Sequence, residues 1–587
     1  MTRPFLPLLG LTAVLLCTAT LTVASTYTAD DMLKGLKVYN VTLPANLKPG
    51  NSNWRVWGTR MLTTRLFNAP LKNGNLLVGW TDATGTGHVS HLTKNKTGYH
   101  LERDMTIAGR QLRGLAAAED TSFAVLGWVQ SGTRGNTSKM YVQKWSAVEG
   151  SDTAPSRLWE TELVADTNYP SDFGIGDSRM SYAETGEYRA YYHVHSTSGH
   201  EGDAYFRVDA ATGTPTKIWG WGCSHSMSNL LSYHPVLNTT LSLCVTDCYP
   251  GTSGGNFKTD SIGGLYTDGR SLLQLMNAGC NGWVGGEVGM IVPIYNESWA
   301  VIFNGHRKKT EKGQQTYSTK THNQDVALAF VNRSGMLAGS VKWLTDTGED
   351  EADPGLARYG AFCSKAACKG SGQSDHVFLA GWKRGTDRFL AFLLSDGEVR
   401  AGPYNVTRRV LGGVETTVSW GARDDTWRTL TDGSVVWLDA PDDTGNVLRV
   451  FAMEYSTRRV QMMTERFSPF EIAVLVIAFG VFPLYIIIMF SVVAIIKKKR
   501  GESVCGSSES GASTGAAATA GAGAAAGAAA AAAPAKPAPA APPRPAPAPR
   551  PAPRPAQSGY TPPPPPRRDA PPKTPPRSGG RSKAVRD

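Results

Sequence analysis

Between Ile472 and Ile496 the chain runs through 25 residues, IAVLVIAFGVFPLYIIIMFSVVAII, without a single charge, and Lys497, Lys498, Lys499 and Arg500 follow at once. A helix of that length spans about 37 Å, enough to cross roughly 30 Å of hydrocarbon with some tilt. Inside lipid the backbone must satisfy its own hydrogen bonds, so a lone apolar run of this kind is expected to be a transmembrane helix. Pro483 removes one backbone donor and is expected to kink it. The two sides of this segment then live in different solvents.

A shorter apolar run opens the chain: Arg3, then Phe5 to Cys17, then Val23-Ala24-Ser25 as a small-residue cleavage site. This is the pattern of a secretory signal peptide, residues 1–25. A cleaved signal and one late stop-transfer helix place the N-terminus outside and the C-terminus in the cytoplasm, a type I topology at the plasma membrane. The basic cluster after Ile496 agrees with the positive-inside rule. The expected organisation is an extracellular domain over 26–467, the helix over 472–496 and a cytoplasmic tail over 497–587.

The formal net charge of +11 divides accordingly. The tail from residue 501 carries +7 and the membrane-flanking cluster +4, which leaves residues 1–496 neutral. Nucleic acid is therefore not an expected partner. The excess lies beside anionic lipid of the inner leaflet, where each basic residue contributes about 1 kcal/mol of attraction.

Six cysteines fall in the external part: Cys223, Cys244, Cys248, Cys280, Cys363 and Cys368. An even number in an oxidising compartment points to disulfides, with Cys363–Cys368 as a local bridge and the other four left unassigned. No CxxC pair supports zinc. Cys505, nine residues past the apolar run, is a candidate for S-palmitoylation. Seven sequons, at Asn40, Asn95, Asn136, Asn238, Asn296, Asn332 and Asn405, are candidates for N-glycosylation and so for exposed turns or edges.

Across 26–467 short runs rich in Val, Tyr, Trp and Thr alternate with Gly, Asn and Asp clusters, the signature of strands and tight turns. Leu76-Leu77-Val78-Gly79-Trp80, Ala124-Val125-Leu126-Gly127-Trp128 and Phe378-Leu379-Ala380-Gly381-Trp382 share an apolar triplet followed by Gly-Trp. Looser versions start at Arg189, Leu241, Trp299 and Ser434, and each of the seven is followed by a second alternating run. Periodic all-β units of this kind predict a β-propeller of seven blades, with eight as the alternative if a further blade lies between Asp346 and Cys368. The rival is a string of β-sandwiches. The glycines are expected where neighbouring blades approach closely, and Trp80, Trp128 and Trp382 between the blades. No named propeller family is reached: the GH…WD pairing is absent, and Thr431-Asp432-Gly433-Ser434-Val435-Val436-Trp437 lacks one residue of an S-x-D-x-G-x-x-W box.

Three stretches are candidates for a site. His193 and His195, two apart on a predicted strand, share a face, and with His200 they are weak candidates for a transition metal; more ordinarily they are partly exposed strand residues. Asp346, Glu349, Asp350, Glu351 and Asp353 are dense enough for calcium but lack EF-hand spacing, which favours a solvated loop. The stretch from Trp219 to Tyr249 holds Ser224, His225 and Ser226, but neighbours on a strand point to opposite faces and no nucleophile elbow is present. It reads as packing or as a loop that presents Trp, His and Tyr to a partner. No catalytic residue and no cofactor are expected.

The tail is dominated by Gly, Ala, Ser, Pro and Arg and cannot build a core, so it is expected to be disordered. It holds three P-x-x-P-x-R matches that suit the grooves of SH3 domains. The first is Pro539, Pro542 and Arg544, the second Pro562, Pro565 and Arg567, and the third Pro572, Pro575 and Arg577. The expected role is recognition of an extracellular protein or glycan, with SH3-type proteins and anionic lipid as inner partners. The alternative is a membrane-tethered ecto-enzyme acting on glycans, which would need two convergent carboxylates.

Overall fold

A computed structural model describes residues 29–49, 55–56, 59–60, 64–129, 138–150, 152–165, 168–170, 177–196, 201–222, 229–246, 261–266, 272–277, 286–294, 297–306, 309–311, 314–316, 324–334, 338–361, 377–421, 424–442, 445–464 and 482–499. The expected signal peptide, residues 472–481 of the expected span, and the tail from Arg500 lie outside them. So do Cys17, Cys223, Cys248, Cys280, Cys363, Cys368, Cys505, Asn136, Asn296, His200 and Ser224 to Ser226. The three expected SH3 ligands fall in that tail and are likewise outside the described residues: Pro539, Pro542 and Arg544; Pro562, Pro565 and Arg567; and Pro572, Pro575 and Arg577.

The described chain is almost entirely strand. It forms six four-stranded sheets, one five-stranded sheet and three two-stranded ribbons, with three helices: α1 (Ala29–Leu33), α2 (Thr457–Thr464) and α3 (Phe482–Lys499). Each of the seven recurring runs and its partner fall in a different sheet as neighbouring antiparallel strands. Leu76–Thr81 pairs with Gly87–Asn95, Glu187–Ser196 with Glu201–Asp209, and Val377–Arg384 with Asp387–Leu394. The sheets are numbered one to seven by their central hairpins.

Seven strands, one per sheet, run along the inside: β1 (Phe67–Pro70), β2 (Gln111–Ala117), β3 (Ser178–Ala183), β4 (Asn229–His234), β5 (Gly286–Ile294), β6 (Glu351–Tyr359) and β7 (Arg428–Thr429). Each touches the next, and β7 touches β1. The sheets therefore succeed one another around a ring, a β-propeller arrangement rather than a row of sandwiches. Closure is made by the N-terminal strand Leu36–Thr42, which pairs along Val447–Met453 and completes the seventh sheet.

Between the sheets the sequence places what the geometry needs. Trp80, Trp128 and Trp382 are fully or almost fully buried, at 0%, 2% and 0% exposure, within apolar clusters that join adjacent sheets. A Cβ on Gly79 would lie 2.3 Å from Leu112 Cδ2 of the second sheet, and one on Gly381 would lie 2.9 Å from the Trp427 ring before β7. Gly127 departs from the expectation: its nearest neighbour is Arg110, just ahead of β2 in its own sheet.

The interval from Asp346 to Cys368, where a further blade was the alternative, is described as far as Ala361. Its described part leads from the outer strand of the fifth sheet, Lys342–Trp343, directly into β6. The acidic run is not wholly solvated: Asp346, Glu349 and Asp350 are exposed, but Glu351 and Asp353 are buried, and Glu351 Oε1 accepts hydrogen bonds from Arg384 at 2.6 and 2.9 Å.

Among the described residues no helix is long and apolar enough to cross a membrane. Helix α3 covers only the last part of the expected span and ends in three lysines; Tyr485, Ile487, Phe490 and Ile495 along it are more than half exposed. Of the five described sequons, Asn40, Asn95, Asn238 and Asn405 are exposed and Asn332 is half-buried.

Candidate functional site

Where the inner strands converge they enclose a cavity of about 340 Å³, to which each of the seven contributes. Inner strands present one backbone edge to the axis, so the polarity of such a cavity is set by a few side chains. Here they are Asn68, Arg179, Ser232, Arg358, Asp425 and Arg428. Ser181, Tyr182, Tyr233, Arg428 and Thr429 in the lining are half-exposed.

The charged part is built at the seam where the ring closes. The chain ahead of β7 runs beside β1: Asn68 N donates to Asp425 O at 2.9 Å, and Asp425 N donates to Leu66 O at 3.0 Å. Asn68 Nδ2 adds a bond to Thr426 O at 2.9 Å. Asp424 turns away from the cavity and accepts from Arg65 N at 2.8 Å and Leu66 N at 3.3 Å. Burial pushes the Asp424 carboxyl up, opposed by the Arg65 charge and these two N–H groups. It latches the last sheet to the first.

Asp425 lies in the lining instead. Its Oδ1 is 2.7 Å from Arg428 Nη2 and 3.9 Å from Arg179 Nε. Arg179 Nη1 donates to Thr64 Oγ1 at 2.5 Å, and Thr64 Oγ1 donates to Asp177 Oδ1 at 3.2 Å. Arg113, also buried, is lowered to about 10 by burial, with the Asp177 charge opposing. Arg358, at the sixth sheet, is lowered to about 9 by burial and donates to Gly360 O and Pro293 O. The arrangement offers guanidinium donors and a carboxylate acceptor side by side, with the half-exposed Tyr182 and Tyr233 in the same lining. Such a surface recognises a polar ligand by paired hydrogen bonds and ring contact.

Among the described lining residues Asp425 is the only carboxylate. Asp177 and Asp424 are buried at 1% and 4% exposure and do not belong to the lining. A pair of acids flanking a bound sugar, about 5–9.5 Å apart as hydrolysis requires, is not displayed by the described cavity residues.

The site residues expected from sequence lie elsewhere. His193 and His195 do share a face, with ring centroids 5.8 Å apart, but they are buried at 3% and 6% exposure rather than partly exposed. No group of three or more His, Cys, Asp or Glu among the described residues is placed to hold a metal. Trp219 packs: its ring stacks on Tyr205 at 4.8 Å and its Nε1 donates to Asp203 at 3.0 Å. Cys244 is disulfide-bonded, to a cysteine outside the described residues. Sequence reading missed Arg179, Asp425 and Arg428. The only local signal was the dense Trp420-Gly-Ala-Arg-Asp-Asp-Thr-Trp427 stretch between two strands.

No protein-family model matches this sequence. No curated protein matches it either. Solved structures with a loosely similar course include an alpha-L-arabinanase of Penicillium chrysogenum complexed with arabinobiose, at 12% identity and TM-score 0.35, covering 71% of this chain and 97% of that one. AofleA from Arthrobotrys oligospora is similar at 9% identity and TM-score 0.32, over 65% of this chain and 92% of that one. Trypanosoma rangeli sialidase is similar at 8% identity and TM-score 0.32, over 60% and 59%. At these scores the strand pairing, and not the likeness, carries the fold.

Proposed function

We propose that this chain is a single-pass, type I surface glycoprotein whose head, a propeller of seven blades with the five-stranded sheet as the third, binds an extracellular protein or glycan in its axial cavity. The single observation that supports this reading is the cavity itself. It draws on all seven inner strands and sets Arg179, Arg428 and Asp425 within reach of one ligand. A lone, arginine-paired carboxylate suits hydrogen-bonded recognition better than acid–base hydrolysis.

The outer frame of the proposal comes from the sequence. The apolar run 472–496 spans the membrane, 1–25 is removed as a signal, and the seven sequons carry glycans. The tail offers its three P-x-x-P-x-R turns, ending at Arg544, Arg567 and Arg577, to SH3 domains and its basic residues to anionic lipid. Four exposed sequon asparagines on the head and the exposed apolar side chains of α3 are compatible with that arrangement.

A glycan-active ecto-enzyme is the second reading, favoured by one feature: Asp177 and Asp425 lie at opposite ends of a chain of contacts through Thr64 and Arg179. The test is a screen of the full-length chain displayed on cells against arrays of glycans and cell-surface proteins. Recognition predicts a saturable ligand recovered unchanged. Turnover of a bound glycan, abolished by Asp425→Asn, would favour the enzyme. The absence of any saturable ligand would contradict both readings.

A further inference from the structure

Six of the seven junctions between neighbouring sheets are filled by apolar clusters: sheets one and two, two and three, four and five, five and six, six and seven, and seven and one. Among the described residues the junction of the third and fourth sheets has none. The third sheet turns one face, with Tyr188, Ala190, Tyr192 and Val194, toward the second. By alternation along Glu187–Ser196, the opposite face carries Arg189, Tyr191, His193 and His195, all buried. Tyr205 and Asp203, on the paired strand Glu201–Asp209, lie opposite Tyr191 and His193. This face meets the fourth sheet, where Arg189 donates to Thr240 and its guanidinium lies 5.3 Å from the Tyr233 ring centre.

Asp203 belongs to this face of the third sheet and has no exposure to solvent. Its carboxyl accepts from the Tyr191 hydroxyl and from Trp219 Nε1. On its own sheet His193 lies directly opposite it and His195 two residues on, with Tyr191 and Tyr205 next along the hairpin and Arg179 opposite Tyr191 on β3; Arg189 and Arg207 pair further along, and Glu187 lies at the far end opposite Asp209. By the same alternation the described residues of the fourth sheet on this side are Asn229, Leu231, Tyr233, Thr240, Ser242 and the disulfide-bonded Cys244, which bring no carboxylate and no cation.

We propose that this junction is a proton-operated joint of the ring, closed while Asp203 carries a proton and loosened when it ionises. A carboxylate without water around it costs several kcal/mol unless paired, and two neutral donors repay only part of that. Burial accordingly pushes Asp203 up to about 7, against the lowering from its two hydrogen bonds. The sign follows from linkage. An acid raised in the folded state above its free value of about 3.9 favours folding fully below that value, and this contribution fades as the pH climbs to the folded value. The joint is therefore tightest in an acidic compartment and loosest at a neutral surface. Two inner strands of the cavity, β3 and β4, belong to these two sheets, so the same proton sets how firmly that side of the axis is held. The proposal stands independently of what the cavity binds.

Hydrogen exchange read by mass spectrometry on the full-length protein, at pH 5.5 and 7.5 and corrected for the intrinsic rate, tests it. Peptides covering 187–209 and 229–246 should lose protection on the order of tenfold at the higher pH, whereas 111–129 of the second sheet should not. Asp203→Asn, neutral and of the same shape, should hold its protection at both pH values. Equal wild-type protection at both, or an Asp203→Asn protein that still loosens, would overturn the proposal and in the latter case hand the effect to the histidines. Should that variant fail to fold, Tyr191→Phe removes one donor that favours the ionised form. Its loosening should then move to higher pH, and an unmoved midpoint counts against the proposal.

Discussion

Single residues in this ring act through buried charge. His88 stacks on Trp80 at 4.2 Å between two carboxylates, with Nδ1 2.7 Å from Asp104 Oδ2 and Nε2 3.3 Å from Asp82 Oδ2. Burial works against the imidazolium, but the hydrogen bonds and charges of Asp104 and Asp82 outweigh it, so its value is raised. Burial likewise raises Asp82, and its bonds to Thr84, Thr86 and His88 outweigh that and lower it. The His88 contribution is complete below the free histidine value of about 6.5 and is lost as pH rises through its folded value; that of Asp82 is present above about 3.9 and is lost in stronger acid. His88→Gln should therefore cost about 2–4 kcal/mol between roughly pH 4 and 6.5 and less above it. Thermal unfolding from pH 4 to 9 checks this; a pH-independent loss would show that His88 acts by packing alone. None of this was legible in sequence, because His88 and Asp104 meet only once two strands are in register. Arg179 and Asp425, 246 residues apart in the chain, were hidden for the same reason.

At the scale of the element, the central hairpins were legible and the strands flanking them were not. The middle strands of each sheet are buried on both faces and carry the Val, Tyr, Trp and Leu runs that betray a strand. Of the inner strands, β1 is four residues long and β7 two, too little for any period to show. Gly289 illustrates a constraint with no sequence signature. A Cβ there would lie 2.1 Å from Pro354 O, a backbone atom within β6 that has no rotamer to change. Gly289→Ala should lower stability by about 1–3 kcal/mol through overpacking. Gly186→Ala, where nothing lies within 4 Å but φ is +86°, should cost about 1 kcal/mol from backbone strain alone. Urea unfolding of the two variants compares them, and equal losses would mean that the fifth and sixth sheets separate more easily than their contact implies.

For the whole molecule, the ring is held shut by its own ends. The N-terminal strand Leu36–Thr42 supplies the outer strand of the seventh sheet, and Asp424 latches that sheet to the chain ahead of β1. Removing residues 29–42 should therefore abolish a folded head, whereas removing 501–587 should leave its melting temperature unchanged. Secretion yield and calorimetry distinguish these outcomes, and a stable head without the N-terminal strand would mean that closure is not made there. The proposed membrane span and tail rest on composition, and on that proposal protease applied to intact cells should remove the head and spare the tail. Most direct for the central claim is the affinity of a captured ligand for two arginine variants of the full-length chain. Arg428→Ala, in the axial cavity, should weaken binding by about tenfold or more, and Arg333→Ala, 69% exposed on the fifth sheet's outer turn, should leave it unchanged. Equal affinity in both variants would place the ligand away from the axis and contradict the account.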